Sequence, residues 1–214
     1  MQIAIPLFDR FTALDAVGPY EVLSRLPGAA VTFVGERTGP VRTDTRQLAI
    51  TVDAALSEVD APDVVVVPGG PGTRAMLDPG PLHEWIAAVH PTTQWTTSVC
   101  TGSLILGAAG LLEGLEATTH WVALDTLAPL CARAVGDRRI VEQGKVVTAA
   151  GVSAGIDMAL WLAARLAGDD VAKAIQLGIE YDPEPPFDSG TTAKADPAMV
   201  EMLRTMVVDR TPAG

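Results

Sequence analysis

The feature that most constrains this chain is a β-rich run that ends at a cysteine, with an apolar run opening just beyond it. Residues 94–99 carry the β-rich run, Cys100 follows, and residues 104–109 are mostly apolar. The small residues Ser98 and Gly102 stand two positions before and two positions after the cysteine. This spacing is typical of a nucleophile elbow, a sharp strand-to-helix turn that presents a reactive side chain. We therefore predict that Cys100 is a nucleophile.

Two interpretations of Cys100 have to be weighed against each other. At the amino end of a helix, the helix dipole and the unpaired N–H groups would favour the thiolate, which is the reactive form of cysteine. The alternative is a small buried hydrophobic residue, the commoner role of a cytosolic cysteine. The elbow spacing favours the reactive interpretation and predicts a thiolate at this position.

The order of the predicted elements indicates an α/β fold. The β-branched run over 63–67 is typical of a strand that is covered on both faces. Alternation of strands and helices predicts a mostly parallel sheet with helices on both faces, in a single domain over residues 1–214. The other predicted strands cover residues 2–8, 30–35 and 94–99, with hairpins over 41–52 and 139–149. The predicted helices cover residues 14–26, 82–89, 120–127, 169–181 and 197–208. A further helix is predicted to open after the elbow with the apolar run 104–109, and residues 151–155 lead into an apolar helix that ends at 166.

Composition excludes several classes of function. The net charge is −11 and there is no basic cluster to neutralise phosphates, so nucleic acid is not an expected partner. Charges interrupt every apolar segment before membrane-spanning length, and the first residues lack the basic start of a signal peptide. The two cysteines, Cys100 and Cys131, have no spacing typical of a disulfide framework or a zinc site. We expect a soluble cytoplasmic protein.

Two further segments are expected at the same sheet edge as Cys100. Asp15 follows the first strand among apolar neighbours, where partial desolvation would raise its pKa and suit an acid–base role; the alternative is a helix N-cap. The loop Pro68–Gly72 exposes backbone N–H groups as an oxyanion hole does; the alternative is a plain turn. Within this loop, we predict that the Gly70 N–H group is the one that donates a hydrogen bond to the substrate. Ligands collect at the carboxyl ends of parallel strands, so we expect these segments to converge there.

Four other side chains are candidates for a role in chemistry. Thr101 offers a hydroxyl and a backbone N–H group beside the cysteine, or is simply a residue of the first helical turn. His120 is expected to be a supporting group rather than a catalytic one. His83 and His90 lie on a helix with a polar face, where we expect both to be solvated.

Several motifs together resemble the ThiJ/PfpI superfamily and, within it, the isonitrile hydratase group. Within the superfamily, the presence of Asp15 and Thr101 points to the isonitrile hydratase group rather than to other branches. Protease-like relatives carry His directly after the cysteine, and the chaperone- and glyoxalase-like branch carries Glu near the first strand. The motifs are Leu14-Asp15, Gly18-Pro19-Tyr20-Glu21, Pro68-Gly69-Gly70, Ser98-Val99-Cys100-Thr101-Gly102-Ser103, residues 106–112, Ala117-Thr118-Thr119-His120-Trp121 and residues 151–157.

The resemblance implies a flavodoxin-like three-layer sandwich, related to class I glutamine amidotransferases, that works as a homodimer without cofactor or metal. It implies that Cys100 attacks the terminal carbon of an isonitrile to give a thioimidate, while Asp15 handles protons and Thr101 helps to orient the site. An N-substituted formamide is then released. Val152 stands where a slightly larger aliphatic residue is expected. The candidate oxyanion and substrate-binding residues are Gly69, Gly70, Val152 and His120.

Other classes of function remain open at this point. The same cysteine could serve a glyoxalase-like reaction or a small amidase. A protein that is not an enzyme is also possible, with Cys100 oxidised as a redox sensor. Similar domains sense ligands in transcription regulators, but no basic DNA-reading segment is seen here, so a complete regulator is not expected.

Overall fold

The valine run that the sequence marks as buried forms the middle of the sheet. In the computed structural model, which describes residues 1–209, Val64–Val67 is a strand with all four side chains fully buried. Val64 and Val66 point into one apolar core, whereas Val65 and Val67 point into the other. Burial on both faces explains why the run shows no alternation of apolar and polar residues. The predicted domain runs to residue 214, and residues 210–214 lie outside the described part.

The described strands and helices follow one another largely as predicted. The strands are β1 Gln2–Pro6, β2 Ala30–Gly35, β3 Gly39–Arg42, β4 Ala49–Val52, β5 Ala54–Ala55, β6 Val64–Val67, β7 Trp95–Val99, β8 Glu116–Ala117, β9 Arg133–Ala134, β10 Ile140–Gln143 and β11 Val146–Ala149. The α-helices are α1 Ala13–Leu23, α2 Pro81–Val89, α3 Gly102–Ala108, α4 Leu124–Leu127, α5 Ala154–Ala167, α6 Asp169–Gly178 and α7 Pro197–Asp209. Short 3₁₀ turns cover Leu56–Glu58, Pro71–Met76, Trp121–Ala123 and Ala128–Leu130.

The main sheet has the strand order β10-β11-β7-β6-β1-β2-β5 among the described residues. Its neighbouring strands are parallel except for β10 and β11, which form an antiparallel hairpin at one edge. The chain winds from β1 outward through β2 to β5, then returns to the other side of β1 with β6 and β7. Strands β7, β6 and β1 are therefore neighbours, and their carboxyl ends meet where the winding reverses.

Helices cover both faces of this sheet, which confirms the predicted three-layer α/β sandwich. On one face, α1 packs against α5 and α5 against α6, with Leu23, Met158 and Leu162 fully buried. On the other face, α2 and α3 bury Ile86 and Ile105. None of the helices among residues 1–209 is both long enough and apolar enough to cross a lipid bilayer.

The predicted and observed elements differ mainly where segments are short. The pair β8–β9 was not predicted, because two residues per strand are too few to show a periodicity. The hairpin predicted over 41–52 is confirmed as β3 and β4. The helix predicted over 120–127 is divided into a 3₁₀ turn, Trp121–Ala123, followed by α4.

We expect the Leu162→Ala substitution to lower the free energy of unfolding by about 2–5 kcal/mol, because it leaves a cavity beneath α5. Leu162 is 0% exposed. The matched control is Leu177→Ala on α6, where the side chain is 81% exposed and little should change. Urea unfolding measures both variants. Equal losses would contradict the assignment of this core.

Candidate active site

Cys100 lies at a strained turn between β7 and α3, which is the geometry of a nucleophile elbow. Its φ angle is 57°, in the left-handed region that residues other than glycine rarely adopt. The small residue two positions later is a steric necessity, since a Cβ atom on Gly102 would lie 2.2 Å from the carbonyl oxygen of Val67. The sharp turn predicted from the spacing is present in the structure.

Hydrogen bonds hold the backbone of Cys100 on both sides. Its N–H group donates to the carbonyl oxygens of Ala149 (3.1 Å) and Ala150 (3.0 Å). Its carbonyl oxygen accepts from Thr119 Oγ1 (3.0 Å) and Ser103 Oγ (3.2 Å). Neither hydroxyl donor was predicted. Ser103 carries a weak signal in the sequence, as a polar residue that opens an otherwise apolar run, whereas Thr119 lies beside Thr118 and His120 and carries none.

The Cys100 side chain is buried and faces two backbone donors and one carboxyl group. Hydrogen bonds from the N–H groups of Thr101 and Val152 lower the pKa of the thiol. Burial, together with the charge of Asp15, outweighs them and raises that pKa well above its ordinary value. The prediction of a thiolate at rest is therefore wrong, because desolvation at this depth exceeds the help of the helix and its N–H groups.

Asp15 lies in the first turn of α1 and is fully buried. Thr12 is the N-cap residue, so the alternative role of Asp15 as a cap does not apply. Burial raises the pKa of Asp15 to about 7, although hydrogen bonds with the Gly69 N–H group (3.0 Å to Oδ2) and with Cys100 lower it. Within residues 1–209, the buried Oδ1 has no hydrogen-bond partner of good geometry.

The glycine loop after β6 reaches the elbow as predicted, but its N–H groups bond within the protein. Gly69 donates to Asp15, and Gly70 donates to Thr101 Oγ1 (2.8 Å), which itself lies 3.2 Å from the Gly70 carbonyl oxygen. The choice of Gly70 N–H as the donor to a substrate is therefore wrong. A Cβ atom on Gly69 would lie 2.4 Å from the Thr101 nitrogen, so only glycine allows this close approach.

Val152 and His120 both line the cavity above Cys100, where substrate-binding residues were expected. Val152 has a φ angle of 24°, a strained value for a β-branched residue, and its N–H group faces the sulfur. The His120 ring lies against Gly151, and Nδ1 accepts the Val122 N–H group (3.3 Å). Burial lowers the pKa of His120, so the ring is neutral near pH 7. These contacts agree with a supporting role.

The two histidines of the α2 region are not solvated as expected. His83 is 3% exposed, and its Nδ1 accepts the Gly80 N–H group (3.0 Å). The Nδ1 atom of His90 lies 2.8 Å from Thr96 Oγ1. Both rings fold back onto backbone and hydroxyl groups that the helical pattern alone does not reveal.

The cavity above Cys100 has a volume of about 220 Å³ and a mixed lining. Part of its wall is apolar and is formed by Leu77, Leu104 and Val122. The polar groups in the lining include those of Asp44 and Thr12. A larger hollow of about 570 Å³ lies beside the ends of β1 and β2, away from Cys100 and Asp15. Of the described residues, no three His, Cys, Asp or Glu side chains are grouped so that they could hold a metal ion.

This chain is similar in sequence and in fold to several known proteins. The sequence profile of the DJ-1/PfpI family matches residues 1–165. An isonitrile hydratase from Pseudomonas putida is 42% identical over 204 residues, which are 95% of this chain and 89% of that protein. The crystal structure of a ThiJ/PfpI family protein from Pseudomonas syringae has a TM-score of 0.92 at 36% identity, covering 97% of this chain and 86% of that one. Drosophila melanogaster DJ-1beta shares the fold, with a TM-score of 0.74 at 23% identity over 85% of this chain and 98% of that one.

Asp15 should make the free energy of unfolding fall with rising pH. Its pKa is about 7 in the folded chain, against an ordinary value of 3.8, so between these values the folded state holds a proton that the unfolded state has released. The total loss over this window is roughly 4 kcal/mol. We expect Asp15→Asn to gain stability relative to the wild type from pH 4 to pH 7, and no further above that window.

Urea unfolding across this pH range measures the effect, with Asp63→Asn as the control. Hydrogen bonding to the Gln2 N–H group lowers the pKa of Asp63, so the difference between that variant and the wild type should stay flat from about pH 5 to 8. Parallel curves for Asp15→Asn and the wild type would show that Asp15 titrates as an ordinary carboxyl group.

Proposed function

Since this chain belongs to the DJ-1/PfpI family, we propose that it catalyses the hydration of isonitriles (R–N≡C) to N-substituted formamides. The observation that carries the proposal is the pairing of a strained, buried thiol at Cys100 with the raised-pKa carboxyl group of Asp15. The likeness to the isonitrile hydratase of Pseudomonas putida, over 95% of this chain, supports the same reaction.

The first step adds the Cys100 thiol to the terminal carbon of the isonitrile. The sulfur forms a bond to that carbon while its proton passes to the Asp15 carboxylate, and Asp15 then delivers a proton to the same carbon. The product is the thioimidate R–N=CH–S–Cys100. Because burial keeps the sulfur protonated at rest, proton removal has to accompany the attack, and Asp15 is the adjacent base.

The second step adds water to the thioimidate carbon. Asp15 removes a proton from the water, the nitrogen takes up a proton, and the C–S bond breaks to release R–NH–CHO. The departing sulfur regains its proton, so the net change is one water added per isonitrile. A carboxyl group with a pKa of about 7 is present in both protonation states near neutrality, which suits it to give and to take protons in turn.

The surrounding residues support these steps without reacting. The N–H groups of Thr101 and Val152 stabilise negative charge on the sulfur as it develops and when it leaves. The Gly69 N–H group fixes one carboxyl oxygen of Asp15, which leaves Oδ1 to handle water. The apolar wall formed by Leu77, Leu104 and Val122 suits the uncharged R group of an isonitrile.

We place this reaction in the cytoplasm, where a reducing environment keeps cysteines as thiols; both Cys100 and Cys131 are unpaired. The homodimer that the family resemblance implies also belongs to this proposal. Helix α7 supports it, because it exposes a stripe of apolar side chains to solvent: Met199, Met202, Leu203 and Met206. Such a stripe suits contact with a second copy of the chain.

The homodimer predicts a sedimentation-equilibrium mass of twice the chain mass at micromolar concentration. The reason is that a stable pair buries apolar surface that a monomer would leave in water. A mass equal to one chain over the whole concentration range would contradict the homodimer and leave the chemistry at Cys100 unaffected.

The reaction itself is tested with Cys100→Ser and Asp15→Asn acting on a simple alkyl isocyanide. We expect each variant to lose at least about a hundredfold in kcat/KM, because the nucleophile and the proton carrier are separate necessities. Formamide production is followed by liquid chromatography with mass detection. Unchanged turnover in either variant would remove that residue from the mechanism.

The matched control is Cys131→Ser, which removes the other cysteine at a half-buried position outside the cavity. It should retain wild-type turnover. Methylglyoxal is the competing substrate in the same assay. Faster turnover of methylglyoxal than of the isocyanide would favour the glyoxalase-like alternative over isonitrile hydration.

A further inference from the structure

We propose that Thr119 is a positioning residue for the nucleophile: its hydroxyl holds the carbonyl group of Cys100 and thereby aims the Thr101 N–H group at the sulfur. This inference rests on the proposed role of Cys100 as the nucleophile. It does not depend on which substrate the sulfur attacks.

The contact that carries the inference is short and fully buried. Thr119 Oγ1 lies 3.0 Å from the Cys100 carbonyl oxygen, and the Thr119 residue is 2% exposed. Ser103 Oγ donates to the same oxygen at 3.2 Å. Because Cys100, Thr119 and Ser103 are all buried, the two hydroxyls are the donors that satisfy this carbonyl oxygen and fix its direction.

The geometry of the peptide unit transmits this constraint to the sulfur. The carbonyl group of Cys100 and the N–H group of Thr101 belong to one planar trans peptide, so they point in opposite directions. Holding the carbonyl oxygen from one side therefore fixes the line along which the N–H group points on the other side. That N–H group hydrogen-bonds the Cys100 sulfur and lowers the pKa of the thiol.

The strained backbone makes this fixation necessary. With a φ angle of 57°, Cys100 lies in a region that costs a non-glycine residue free energy, so the hydrogen bonds to its N–H and carbonyl groups have to maintain that conformation. Hydrogen bonds to a carbonyl oxygen also polarise the peptide, which makes its N–H group a stronger donor. Both effects favour negative charge on the sulfur when it attacks.

Thr119 and Ser103 reach the carbonyl by different routes. Ser103 lies three residues further along the same turn, and a bond from a helical serine to a preceding carbonyl is a common local contact. Thr119 comes from the segment after β8, so only the tertiary fold brings it to the elbow. The bond from Thr119 therefore couples the elbow to the neighbouring segment that carries His120.

The chain offers a matched control one residue away. Thr118 is buried to the same degree, at 1% exposed, but its Oγ1 has no hydrogen-bond partner among residues 1–209. Its backbone N–H group donates to Thr148 Oγ1, a contact that a side-chain substitution leaves in place. The Thr118→Val substitution therefore replaces a buried hydroxyl by a methyl group, as Thr119→Val does, but leaves the hydrogen bonds to the Cys100 carbonyl oxygen in place.

The experiment compares Thr119→Val, Thr119→Ser and Thr118→Val, each in a Cys131→Ser background so that one thiol remains. The readout is the rate of Cys100 alkylation by iodoacetamide, followed from about pH 6 to pH 9, where burial keeps the thiol protonated at rest. For Thr119→Val we expect alkylation to slow about threefold across this range, because the N–H group that stabilises charge on the sulfur is less well aimed. Thr119→Ser and Thr118→Val should match the background protein.

Turnover of an alkyl isocyanide by the same variants adds a second, independent test. Thr119→Val should lower kcat and leave KM unchanged, because the N–H bond to sulfur strengthens as charge develops in the transition state. If the alkylation pattern is as expected but even the background protein does not hydrate isocyanides, the positioning role stands and the proposed function fails.

Three results would overturn the positioning role. The first is an unchanged alkylation rate in Thr119→Val, and the second is equal effects from Thr119→Val and Thr118→Val, which would indicate packing alone. The third applies if Thr119→Val does not fold. In that case Thr119→Ser is compared with Thr119→Ala, and equal alkylation rates for these two would show that the hydroxyl has no such role.

Discussion

The structure depends on the burial of two ionisable side chains, Cys100 and Asp15, against each other at the edge of the sheet. The charged form of each group is disfavoured there, because burial raises the pKa of both. Backbone N–H groups compensate in part: Gly69 donates to the carboxyl group, while Thr101 and Val152 donate to the sulfur. The fold therefore holds a protonated thiol beside a carboxyl group with a pKa of about 7, with donors already aimed at the atoms on which charge forms.

The topology explains why these groups meet. Strands β1, β6 and β7 are adjacent and parallel, so the segments that follow them leave the sheet at one edge. A bond from the Thr12 N–H group to the Gly69 carbonyl oxygen (2.8 Å) joins the first two segments, and the bond from Gly70 to Thr101 joins the second to the elbow. The close spacing of these backbones requires glycine at 69 and at 102, where a Cβ atom would meet main-chain atoms.

Local chemistry made part of this site predictable from the sequence, and tertiary contacts determined the rest. The elbow at Cys100 was predictable because small residues and the change from β-rich to apolar sequence are local signals. The edge of the sheet at which Asp15 lies was predictable because Asp15 comes just after the first predicted strand of a parallel sheet. The protonation of the sulfur was not predictable, since it depends on how deeply the folded chain buries it. The partners of Gly70 and of the Cys100 carbonyl, Thr101 and Thr119 among them, also exist only once distant segments pack together.

A protonated thiol beneath a partly apolar cavity has a consequence for the chemistry that the site can support. An uncharged electrophile enters without having to displace a counter-ion, and charge develops only as the sulfur attacks it. In a site of low dielectric, donors that are already oriented stabilise that charge more than water does, because they need not reorganise. The strain at Cys100 and the buried carboxyl of Asp15 are thus costs of the folded state that become useful only when a reacting carbon reaches the sulfur. An isonitrile carbon, which must gain both a sulfur and a proton, matches what this pair can deliver.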